Sequence, residues 1–183
     1  MNKLVILVIL ILLPTFLVFG CAPVFAPSLQ VRELTFEDLP ILAKYFVGDK
    51  FNTNGVIIEV RRFGEDGGYV FVDNECDSGG TGQDLGVCRA TINIRLSNPI
   101  KKLSAQIGNF VAGFSIEVNG EHRDVKILTE LNQERVGGAK IETFYSRDEI
   151  GDEYIFLVIE GDMRSISIGG SFYIDNINVF LNI

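Results

Sequence analysis

The chain reads as an all-β protein, a two-sheet antiparallel β-sandwich of jelly-roll-like build. Three observations predict it. From Leu34 onward apolar residues recur with period two, the mark of strands covered on one face. Glycine-bearing breaks separate the runs about every dozen residues. Helix signals are scarce, and many short punctuated strands are what a sandwich requires.

Taken in order, residues 40–46 are the one stretch patterned like a helical turn, and 49–55 after it is loop-like. Strand runs follow at 56–60, 69–72, 90–96, 114–118, 125–128, 141–145, 154–159, 165–168 and 172–181. The breaks fall at 64–68, Asn119-Gly120, Gly137-Gly138, Gly161-Asp162 and Gly169-Gly170. In 91–96 and 114–118 the alternation is clean, so one side meets a core and the other meets water.

The first twenty residues are of another kind. Lys3 is their only charge, an apolar stretch broken by Pro14 follows, and Gly20 precedes Cys21, which is the pattern of an export leader. Residues 4–20 fall short of the roughly 20 apolar residues that a spanning helix needs. Val18-Phe19-Gly20-Cys21 resembles the lipobox of bacterial lipoproteins, where a peptidase cuts before a cysteine whose sulfur carries diacylglyceryl. The resemblance implies a signal peptide over 1–20, a lipidated tether over 21–31 and a folded domain over 32–183. A cut after Ala26 is the alternative, disfavoured by Pro27 beyond it. Each buried methylene contributes about 0.8 kcal/mol, so one acyl chain holds weakly and two or three anchor stably. By the same resemblance, the lack of Asp after Cys21 fits an outer membrane; in a single-membrane cell the anchor means the outer face of the plasma membrane.

Without leader and tether, roughly 150 residues remain, enough for one domain to bury a core unaided. The whole chain has 16 Lys and Arg against 24 Asp and Glu, net −8, and losing Lys3 with the leader makes the rest more negative. With no basic stripe, that balance argues against nucleic acid as a partner. Once Cys21 is assigned to lipid, Cys76 and Cys88 remain as an even pair in an oxidising compartment, and a disulfide is expected. It would close a glycine-rich loop, contributing roughly 3 kcal/mol in the chain-entropy account. Two cysteines and a distant His122 do not make a zinc set.

A resemblance adds to this. Residues 34–40, Val47-Gly48-Asp49-Lys50-Phe51 with Gly55-Val56, Val118-Asn119-Gly120, and Ile168-Gly169-Gly170 followed by Ile174-Asp175-Asn176-Ile177 look like a family of secreted bacterial β-sandwich domains with no assigned activity. The opening and closing strands are also similar to jelly-roll carbohydrate-binding modules, in which acidic residues of the first and last strands hold a structural calcium. On an unbroken strand Asp175 shares parity with Ile177 and Val179, turning a carboxylate toward the core, where an unpaired charge is costly. By the resemblance its partner is calcium shared with Glu37 or Asp38 and Asp49, all hard oxygen donors. The alternatives are a bulge that re-aims Asp175, backbone amides, or an arginine such as Arg61, Arg62 or Arg164.

The expected function is a lipid-anchored extracytoplasmic binding or adhesion module for a glycan or a protein. Stacking on aromatic faces carries much of sugar affinity. The chain has no Trp and five Tyr, and most of its 14 Phe follow core periodicity or lie in the leader. Tyr69, Tyr145 and Tyr154 are the ligand-binding candidates, while Tyr173 shares the inward parity assigned to Asp175. The second reading is a structural or envelope-assembly lipoprotein acting through a protein partner. A glycoside hydrolase comes third, since the carboxylates cluster in turns, where solvation explains them. No serine, cysteine or phosphate-loop motif points to an enzyme.

Overall fold

The computed structural model describes residues 29–182 apart from 66, 75–77, 79–81, 112 and 148–152. The leader, Cys21 and Cys76 therefore lie outside the described residues. Eleven strands run in chain order: β1 (Leu29–Leu34), β2 (Lys44–Phe46), β3 (Lys50–Thr53), β4 (Val56–Arg62), β5 (Tyr69–Asp73), β6 (Asp84–Gly108), β7 (Phe114–Val118), β8 (Glu121–Val125), β9 (Arg135–Val136), β10 (Ala139–Arg147) and β11 (Glu153–Asn182). All pair antiparallel within one large, unclosed sheet. Among the described residues no helix is long and apolar enough to cross a membrane.

β6 and β11 organise the rest because each serves two sets of neighbours. The first arm of β6 lies between β4 and β5 on one side and the middle of β11 on the other, with Ile92 facing Ile168 and Val60. Its second arm lies between the opening and closing thirds of β11, with Leu103 facing both Ile159 and Val179. β7 and β8 extend the middle of β11 outward, β10 and β9 its opening third, and β1 its closing third. Inward residues from both arms, among them Ile92, Ile94, Leu103, Ile107, Leu157, Ile168 and Val179, belong to one apolar cluster and are essentially inaccessible. Burial of this kind contributes about 1.5–3 kcal/mol per large side chain.

The strand lengths correct the sequence reading. Gly161-Asp162 and Gly169-Gly170, expected as turns, are passed through by β11, which runs on for 30 residues. Glycine at 161 answers to close packing instead: a Cβ there would lie 2.9 Å from the Ala139 backbone. Residues 40–46 form a turn closed by the Ala43 amide on the Pro40 carbonyl, and then β2, not a helical turn. The one helical turn among the described residues is a 3-10 turn at Leu128–Leu131, overlapping a stretch read as strand.

Candidate functional site

An aromatic row forms where β2, β5, β6 and β11 lie side by side. Phe46 pairs across from Tyr69, and Phe71 faces Gly86, which in turn faces Tyr173. Alternation sends Val70 and Val72 into the core, where both are fully buried, and leaves Tyr69 and Phe71 on the opposite side. Successive ring centroids stand 6.1 Å apart for Phe46 and Tyr69, 6.0 Å for Tyr69 and Phe71, and 5.7 Å for Phe71 and Tyr173, the last pair edge to face. Lys44 Nζ sits 5.2 Å from the Tyr69 ring centre. Gly86 is required beneath them, because a Cβ there would fall on the Phe71 ring. The result is an open groove of about 340 Å³ lined by Tyr69, Phe71, Gly86, Cys88, Ser171 and Tyr173 among others.

Cys88 is an unbridged thiol here, not half of the expected disulfide, and Cys76 lies outside the described residues. Its sulfur stands beside Tyr69 on the neighbouring strand and, through charge and a hydrogen bond, pushes the Tyr69 phenol up.

Of the three tyrosines picked out from the sequence, only Tyr69 reaches the groove. Tyr145 faces Ile155, and Tyr154 faces Ser146, so the two project from opposite sides of the β10–β11 ladder and meet neither each other nor Tyr69. The missing companion is Tyr173, which the parity argument had turned inward with Asp175. A bulge overturns that parity: Asn176 adopts φ 49°, and the register slips between Asp175 and Asn178. One extra residue puts Tyr173 and Asp175 on the opposite phase from Ile177 and Val179. Asp175 is nonetheless fully buried, across from Gln106.

The acidic residues assigned to calcium do not come together. Glu37 Oε1 accepts from the Gln83 amide at 2.7 Å, Asp38 accepts from Thr53 Oγ1 at 2.7 Å and the Asn54 amide at 2.8 Å, and Asp49 accepts from the Phe46 amide at 2.8 Å. Each carboxylate pins a loop to its neighbour. Among the described residues no three His, Cys, Asp or Glu side chains make a metal-holding group.

A second concavity, a trough of about 260 Å³, lies across β4, β6, β11, β7 and β8, with Arg61, Phe63, Thr91, Ser115, Glu117 and Ser167 in its lining. Its floor is made of small residues. A Cβ on Gly169 would stand 2.5 Å from both Ser115 Oγ and Thr91 Oγ1 and 2.8 Å from the Phe63 ring. Thr91, Asn93, Ser115 and Ser167 are each more than nine-tenths buried, sunk between taller neighbours. Two of them begin a chain: Ser167 Oγ donates to Asn93 Oδ1 at 3.0 Å, Asn93 Nδ2 to Glu59 Oε2 at 3.3 Å, and Arg61 reaches the same oxygen at 2.7 Å, while Thr91 Oγ1 donates to the Arg62 carbonyl at 3.1 Å. At the far wall His122 Nε2 lies 2.9 Å from Asp124 Oδ1.

No family model, curated protein or solved structure matches the chain.

Glu59 links the trough to stability. The Arg61 hydrogen bond, aided by the charges of Arg61, Lys50 and Arg95, holds its carboxyl below the usual range against a smaller opposing effect of burial. A carboxylate lowered in the folded state stabilises above its unfolded value and loses that contribution as pH falls through the folded one. With its side chain 28% exposed, the pair contributes no more than about 1 kcal/mol. Glu59→Gln is expected to melt below the parent at neutral pH. The gap should close as pH falls from the ordinary Glu range through the lowered folded-state value, as followed by urea melts; a gap independent of pH would contradict this.

Proposed function

We propose that the protein is a lipid-anchored extracytoplasmic binding module, a two-layer jelly-roll-like sandwich held to the cell envelope through Cys21, and that its ligand is a glycan. One observation carries the glycan reading: Tyr69, Phe71 and Tyr173 line a single open groove over the Gly86 floor, and Phe46 continues the row of rings beyond Tyr69. Rings at this spacing offer a run of apolar surface to sugar rings, and Tyr69 and Tyr173 add a phenolic hydroxyl each. The sandwich is supported by the two arms of β6 and β11, each with its own strand neighbours and both contributing to one core.

The competing reading, a lipoprotein that packs on a protein partner, calls for a broad apolar patch. Of its most exposed aromatics, Phe46, Tyr145 and Phe144, the last two are adjacent in β10 and so project from opposite faces.

The test is a glycan array probed with the full chain in detergent. Retention of one or more glycans is expected, weakened at least about tenfold by Tyr69→Ala, the equivalent of roughly 1.4 kcal/mol. An array with no retained glycan, or retention indifferent to Tyr69, would sink the reading.

A further inference from the structure

The aromatic groove and the polar trough lie on one face. On β11 the outward residues are Tyr173, Ser171, Gly169, Ser167 and Ser165, in regular alternation with the buried Phe172, Ile168 and Ile166. On β6 they are Gly86 and Cys88, then Thr91 and Asn93, a change from even to odd numbers that would put the two halves on opposite faces of a regular strand. The extra residue is Arg89, at φ 48°: Gly170 faces Ala90 while Phe172 faces Val87, so two residues of β11 span three of β6. The core side confirms the phase, because Leu85, Val87, Ala90, Ile92 and Ile94 are each at most 3% exposed. At the junction the Arg89 amide donates to Ser171 Oγ at 3.1 Å, locking the bulge beside the seam between the two concavities.

The chemistry changes along this face. At the Tyr173 end it offers rings; at the Ser167 end it offers a floor of hydroxyls with Phe63 at its rim. The charges lining the trough balance, Arg61 and Arg62 against Glu117 and Asp124, with Arg61 also paired to Glu59 and the His122 ring hydrogen-bonded to Asp124, which suits a neutral ligand rich in hydrogen-bonding groups better than an ion. From Tyr173 to Ser167 the strand advances about 20 Å at roughly 3.3 Å per residue, longer than a single sugar ring.

We infer that groove and trough form one track for an extended, uncharged polyhydroxylated chain lying along β6 and β11, stacked at Tyr69 and Tyr173 and hydrogen-bonded at Thr91, Ser115 and Ser167. This rests on the glycan reading and narrows it to a length of polysaccharide.

The experiment compares disaccharides with hexasaccharides of β-linked glucose, xylose, mannose and N-acetylglucosamine, titrated into the full chain in detergent. For the sugar that binds, the hexasaccharide should be held at least about tenfold tighter than the disaccharide. That advantage should collapse in Gly169→Ala, whose methyl displaces the Ser115 and Thr91 hydroxyls and the Phe63 ring. It should collapse too in His122→Ala, a half-exposed wall residue whose loss leaves the core untouched. Equal affinity for short and long chains, or a length advantage that survives both variants, overturns the track and leaves the aromatic groove standing. Failure of every sugar to bind the unmodified protein overturns both.

Discussion

Gly68→Ala is expected to destabilise the fold by about 3 kcal/mol or more, lowering the melting temperature by roughly 10 °C for a domain of this size. A Cβ at 68 would fall on the carbonyl groups of Cys88 and Arg89, which are backbone and cannot rotate away. Those two residues form the β6 bulge, so the methyl acts where the strand is least able to yield. Its neighbour supplies the control. Nothing lies within 4 Å of a Cβ added at Gly67, and Gly67→Ala should stay within about 0.5 kcal/mol of the parent. Thermal melts of the two variants check this; equal melting temperatures would show that the approach of residue 68 to β6 is not as described.

Cys21→Ser is expected to have the largest effect on location. In the proposed reading the lipobox-like sequence at 18–21 makes this sulfur the attachment point of the anchor, and two or three acyl chains hold a protein to a bilayer where one does not. The variant should take up no fatty-acid analogue in metabolic labelling and should leave the membrane pellet, while the unmodified protein is labelled and pelleted. An unlabelled parent protein would remove the lipid from the account and with it the assignment to the cell envelope. Melting of the domain should be the same in both, since position 21 precedes the first strand, β1.

Legibility differs from element to element. The cores of β4, β5, β7 and β10 follow directly from alternation: in 56–60 every second residue is buried, as the pattern demands. β6 and β11 were not legible as continuous strands, because glycine pairs and polar interruptions that mark turns elsewhere here mark bulges and close approaches within a strand. The same ambiguity hid half of the site. Tyr69 stood out as a tyrosine in a clean strand, whereas Phe46 and Phe71 looked like core, and Tyr173 was assigned to the wrong face. The one local signal was Asn176, since asparagine tolerates the left-handed conformation that a bulge uses. The polar trough left no motif at all: Thr91, Ser115, Ser167 and Gly169 are ordinary strand residues until three different strands set them side by side.

What the sequence determines by itself is the phase of short strands such as β4 and β5 and the all-β class, because these depend on neighbours a few residues apart. Tertiary structure alone decides which side chains share a face. A single residue at positive φ reverses the phase of everything beyond it, and asparagine or arginine permits that conformation without compelling it. Pairing across the sheet selects it, joining Arg89 to Ser171 over 82 positions of chain.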